Sequence, residues 1–153
     1  MNKPLVTVIT TTTGKDSLDF LIDSIKNQNI PVKHILLWND IRVGKFLQPQ
    51  ITHPSSLEIQ ENNYSCNCII INGNITRSSL KSIGLMVANT DIVTFADDNV
   101  MWEPNHLSSM LNLMKSSSWA YCKRRVWASL PNKDYEYLGV DEFESMGEEA
   151  KTE

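Results

Sequence analysis

Apolar residues recur along this chain in two alternating rhythms. Short unbroken runs of apolar and β-branched residues read as buried strands. Between them lie longer segments with apolar residues at i, i+3, i+4 and i+7, which read as amphipathic helices. The first run is Leu5–Thr10, followed by a polar loop, Thr11–Lys15, that contains Gly14. Asp16 or Ser17 then caps a helix with Leu18, Leu21, Ile22 and Ile25 on one stripe. Asn29-Ile30-Pro31 stops that helix, and Ile35–Trp38 forms a second strand ended by Asn39-Asp40. Strand, helix and strand in this order predict a right-handed crossover between parallel strands.

Residues 41–75 carry Pro49, Pro54 and Ser/Asn-rich stretches. They predict irregular chain with short strands at Leu57–Gln60 and Cys68–Ile71 and a turn at Asn72-Gly73-Asn74. A second helix is expected from about Thr76 to Ala88, with Leu80, Ile83 and Val87 on one face. Ile92–Ala96 is a third strand that runs into Asp97-Asp98-Asn99. Pro104 suits the first turn of a third helix bearing Leu107, Met110, Leu111 and Met114. Trp119–Val126 reads as a fourth strand. Residues 1–140 form one expected domain, and residues 141–153 an acidic, flexible tail.

Alternating strands and helices predict an α/β fold with a mainly parallel sheet flanked by helices. In such sheets ligands bind outside the carboxyl ends of the strands. Three polar clusters stand at those ends: Thr10–Lys15, Asn39-Asp40 and Asp97-Asp98-Asn99.

Composition narrows the function classes. The chain has 153 residues, of which 41% are apolar and 21% charged, enough for a real core. Its net charge of −4 has no basic block and argues against nucleic-acid binding. No apolar run reaches the length of a transmembrane segment, and the first residues lack a secretion signal, so a cytoplasmic location is expected. Cys66, Cys68 and Cys122 are an odd number and show no zinc-site spacing, which reads as free thiols in a reducing compartment. His34, His53 and His106 are scattered and also lack metal spacing.

The acidic trio is the strongest chemical signal. Two carboxylates at the exposed end of a hydrophobic strand repel each other unless a cation lies near. A hard divalent ion takes one or two carboxylates and completes its shell with water and phosphate oxygens. Asp97, Asp98 and Asn99 therefore point to a hard divalent ion, against a helix-capping loop as the plain alternative. Asp40 offers a carboxylate to a base or ribose. Thr11, Thr12 and Thr13 offer hydroxyls and amides at a helix start, suited to a nucleotide. Gly14-Lys15 does not complete a phosphate-binding P-loop, because Ile9 and Asp16 occupy the positions that need Gly and Ser/Thr. Lys81 lies on the helix before the acidic strand.

Three blocks of the chain resemble the nucleotide-diphospho-sugar glycosyltransferases of the GT-A fold, in particular the large inverting family 2. Val6–Thr12 is similar to the family's opening strand and its nucleotide-contacting Thr loop. Ser17–Asn27 with His34–Asp40 is similar to its helix and the strand ending in an Asp-Asp pair. Ser79–Asn99 is similar to the block that ends in a DxD-type motif, and Pro104 and Leu107 fit the residues that follow it. The match covers about residues 4–127. It implies a Rossmann-like GT-A fold, a nucleotide-sugar donor such as a UDP-sugar, and Mn²⁺ or Mg²⁺. By the same resemblance Thr11 or Thr12 and Asp40 contact the base, Asp97 the ribose or sugar, and Lys81 the diphosphate, while Asp98 and Asn99 hold the metal.

Departures from the family are Thr11 for its Pro, Gly14 for its Asn, Asn39 for the first Asp of a pair and Asn99 for a last Asp. Inverting transfer to a hydroxyl acceptor, a carbohydrate or another alcohol, also needs a base within hydrogen-bond reach. Asp141 and Glu142 are the candidates. The expected function is hexosyl transfer. An incomplete nucleotide-sugar-binding module and an unrelated metal-dependent phosphohydrolase or nucleotidyltransferase stay open as alternatives. So does a role as a homo-oligomer or a partner subunit.

Overall fold

The computed structural model describes residues 4–40, 58–61, 63–73, 75–122, 124–129 and 135–141. Two compact units divide the chain, Met1–Ser109 and Met110–Glu153. The first is an α/β unit built on β1 (Val6–Thr12), α1 (Leu18–Lys26), β2 (Val32–Asp40), β3 (Glu58–Glu61), β4 (Tyr64–Asn72), α2 (Arg77–Val87) and β5 (Ile92–Asp97). Its sheet has the order β3-β4-β2-β1-β5. Four of the strands are parallel, and β3 pairs antiparallel with β4 at one edge. With its flanking helices the unit has a Rossmann-like arrangement.

The parallel β1–α1–β2 unit stands as the periodicity predicts. β1 reaches further than expected, through Thr11 and Thr12, which pair with Leu37 and Trp38 of β2. Thr is β-branched and sits comfortably in a pleat, so the polar run continues the strand instead of ending it. β4 is also longer than the apolar run Cys68–Ile71 suggests. Polar Ser65 and Asn67 lie in it because β2 supplies a partner along its whole length.

The face of the sheet toward α2 carries Ile9, Ile35 and Leu37, buried with Leu80, and Ile69, Ile71, Ile75, Ile83 and Val93 pack around them. Side chains alternate along a strand. Val6, Val8, Leu36 and Trp38 are therefore buried on the opposite face. That face also holds a polar chain, in which His34 Nδ1 lies 2.9 Å from Tyr64 Oη and Nε2 lies 3.0 Å from Thr10 Oγ1. α2 approaches the sheet closely at Gly84, where a Cβ would stand 2.5 Å from Ile9 Cγ2. Val87, expected on the buried stripe of α2, is instead 43% exposed, and Gly84 takes the place against the sheet.

The chain moves outward from β1 through β2 to β4, and α2 then returns it to the other flank of β1 as β5. The direction of winding therefore reverses between β1 and β5, the place where such sheets leave a crevice. After β5, Gln28 at the end of α1 pins the chain. Its Nε2 donates to Glu103 O at 2.8 Å, and its Oε1 accepts from Leu107 N at 2.9 Å. This fixes the far end of the acidic loop, as β5 fixes the near end. α3 (His106–Leu113) follows, and the division between the two units falls inside it.

The second unit holds a two-stranded antiparallel sheet of β6 (Arg124–Ser129) and β7 (Tyr135–Asp141), with a bulge between Val126 and Trp127. Gly139, at φ 135°, pairs with Val126 at that bulge. The expected fourth strand, Trp119–Val126, is thus corrected in its bounds. Residues 119–122 lie outside any strand, with Trp119 stacked on Tyr121, and the strand itself begins at Arg124 and pairs within its own hairpin. Asp141, placed in the acidic tail by composition, closes β7. The rest of that tail, residues 142–153, lies outside the described residues, as does the turn signal at Asn74. No helix among the described residues is long and apolar enough to cross a membrane.

Candidate functional site

The carboxyl ends of β1, β2 and β5 meet the amino end of α2 around a small cleft of about 90 Å³. Thr11, Thr12, Thr13, Asn39, Ile75, Arg77, Leu80 and Asp98 line it. Two of these residues carry a buried polar atom with no hydrogen-bond partner among the described residues, Thr11 Oγ1 and Asn39 Oδ1. Both residues are more than nine-tenths buried, at 3% and 6% exposure. A buried polar group left unpaired costs about 1–3 kcal/mol, and both of these residues line the cleft. Asn39 is held by its other end, its Nδ2 donating to Ile75 O at 3.3 Å.

Asp98 is the pivot of the site. Its residue is only 1% exposed. Thr12 Oγ1 donates to its Oδ2 at 2.9 Å, and Lys15 Nζ donates to its Oδ1 at 3.0 Å. Its backbone carbonyl accepts from Ser17 Oγ at 2.7 Å. The predicted cap of α1 therefore works elsewhere: Ser17 occupies the N-cap position but makes no cap bond, and its hydroxyl ties the helix start to the acidic loop. Gly14 makes the arrangement possible. Its φ of +85° turns the chain so that its amide donates to Thr12 Oγ1 at 3.0 Å, and a Cβ there would lie 2.5 Å from Trp38 Cζ2.

Asp97 is half-exposed and faces two cations, Arg77 Nη1 and Lys81 Nζ, each 3.7 Å from its Oδ1. Those separations are ion pairs and too long for hydrogen bonds. Lys81 Nζ also lies 5.3 Å from the centre of the Phe95 ring. α2 begins at Thr76, whose Oγ1 accepts from Ser79 N at 3.2 Å, and its first turn has no acidic residue. Its positive end is thus uncancelled beside the cleft.

Of the expected site residues, Thr11, Thr12, Thr13 and Asp98 line the cleft, and Asp97 and Lys81 form an ion pair in the same unit. Asn99 is exposed in the turn and does not line the cleft. Asp40 ends β2 in register with Asn72, so its backbone stands at the expected strand end. Asp141 closes β7 in the second unit, and Glu142 lies outside the described residues. Sequence reasoning placed Asn39 at a ligand-facing strand end but did not single out Arg77 as a cleft-lining residue, nor Lys15 as a partner of Asp98. Arg77 lies one helical turn before Lys81, and that i, i+4 spacing is a signal that marks both for one face.

The donor set fits a divalent ion poorly. Both oxygens of Asp98 are engaged, one by an ammonium group, and the residue has almost no surface on which an ion and its waters could rest. Among the described residues no three His, Cys, Asp or Glu side chains converge as a metal site. Burial raises the Cys66 thiol above its ordinary value, and burial with the neighbouring Cys66 pushes Cys68 up to about 11, so neither is primed as a thiolate ligand. His106 stacks on Trp102 with ring centres 4.7 Å apart, and burial lowers its pKa. No protein-family model matches the chain, and no curated protein matches it.

Proposed function

We propose that this protein binds a nucleotide-diphosphate sugar, a UDP-sugar in the first instance, and transfers the sugar to a hydroxyl acceptor. The observation that carries the reading is the pair of unpartnered buried atoms, Thr11 Oγ1 and Asn39 Oδ1, on residues that line the same cleft as Asp98 and Arg77. A nucleobase offers the donors and acceptors that such atoms lack. Asp97 is half-exposed and suited to accept hydrogen bonds from ribose or sugar hydroxyls. Arg77, Lys81 and the amino end of α2 provide fixed positive charge where a departing diphosphate gains negative charge. The resemblance of Val6–Thr12, His34–Asp40 and Ser79–Asn99 to the family 2 glycosyltransferases supports sugar transfer as the chemistry. It is an inference about this site and not a consequence of the α/β fold, which hosts many activities.

Incubation with UDP-sugars and hydroxyl acceptors tests the proposal. The expected result is release of UDP that is lost in Asp97→Asn, with a sugar joined to the acceptor. UDP-sugar binding without turnover would mark a binding module that lacks its base. Release of phosphate or pyrophosphate with no sugar transfer would assign the site to a phosphohydrolase or nucleotidyltransferase.

A further inference from the structure

Asp97 and Asp98, the two acids of the loop, already face three cations of the chain. We propose that Arg77 and Lys81 hold the diphosphate of the bound nucleotide while Lys15 stays on Asp98, so that the cleft takes a nucleoside diphosphate without a divalent ion. This rests on the nucleotide-binding reading above and specifies how the charge is met.

Three observations carry it. Lys15 Nζ lies 3.0 Å from Asp98 Oδ1 while Thr12 holds Oδ2, so a cation of the chain already satisfies the buried carboxylate. Arg77 and Lys81 flank Asp97 at 3.7 Å, a spacing loose enough for both to turn toward a stronger anion. The three cations outnumber the two carboxylates they face, and the positive end of α2 adds to that excess. A diphosphate entering beside Arg77 then meets net positive charge with no ion present. A divalent ion, in contrast, would have to displace Lys15 from a carboxylate that is 1% exposed. Arg77 has a half-exposed side chain and lines the cleft.

Calorimetric titration of the full chain with UDP and with uridine, in EDTA and again with Mn²⁺, decides the matter. The expected result is UDP binding of equal affinity in both media, tighter than uridine in each. The double variant Arg77→Gln/Lys81→Gln alters two outward side chains that the core does not use. It is expected to weaken UDP about tenfold or more in EDTA and to leave uridine unchanged. UDP binding that appears only with Mn²⁺ would overturn the metal-free inference and leave the nucleotide site standing. Undiminished UDP binding by the double variant would also overturn it. Absence of UDP binding in both media would overturn the nucleotide reading itself.

Discussion

Thr12 and Lys15 divide the two oxygens of Asp98 between them, and Gly14 supplies the turn that lets both reach. Breaking a fully buried ion pair costs about 3–5 kcal/mol, but Lys15 is half-exposed, so this pair belongs below that range. Its role is positional. His34 is another fully buried polar residue with two side-chain partners, and it has a measurable consequence. Burial lowers its pKa from 6.5 to about 3, so the folded chain keeps it neutral. Between those values the unfolded chain binds a proton that the folded chain refuses. Its contribution to stability is therefore fully present above pH 6.5 and is lost as pH falls toward 3. The slope it adds is at most about 1.4 kcal/mol per pH unit. His34→Gln keeps hydrogen-bonding capacity between Tyr64 and Thr10 without titrating. Urea midpoints measured across this range should fall less steeply for the variant than for the native chain, and parallel curves would refute the assignment.

At the scale of elements, α2 is held against the sheet by the absence of a side chain. A Cβ at Gly84 would meet Ile9 Cγ2 at 2.5 Å and Leu37 Cδ1 at 3.1 Å, and both residues are fully buried. Gly84→Ala gains about 1 kcal/mol of helix propensity and loses about 1–3 kcal/mol to overpacking. The expected net effect is a loss of about 1 kcal/mol, read as a lowered thermal midpoint. It should also weaken UDP, because α2 carries Arg77 and Lys81. A stabilised variant with unchanged UDP affinity would contradict this. The three helices were legible in the sequence because their apolar spacing and stop signals are local. Val87 misled because helical periodicity marks a stripe but does not show that a glycine lets the backbone itself make the contact. The hairpin of β6 and β7 was not legible as such. The apolar run Trp119–Val126 shows strand character, but the residue at which pairing starts depends on a partner elsewhere in the chain.

At the scale of the whole chain, the reversal of winding between β1 and β5 brings distant residues together, and this is why much of the site could be read early. Thr11–Thr13, Asp97 and Asp98 fall at strand ends, and the parallel α/β pattern predicts that strand ends converge. The pairing of Lys15 with Asp98 was not legible, since residues 83 positions apart meet only through the β1–β5 register. The same pairing, a lysine on the carboxylate expected to hold Mn²⁺ or Mg²⁺, is what the metal-free proposal starts from. All of this depends on a nucleotide-sugar site at the carboxyl ends of β1, β2 and β5. Backbone amide NMR during titration with a UDP-sugar tests it most directly. The account predicts that the largest shifts fall on Thr11, Thr12, Thr13, Asn39, Arg77 and Asp98. Shifts confined to other residues, or none at saturating ligand, would contradict it.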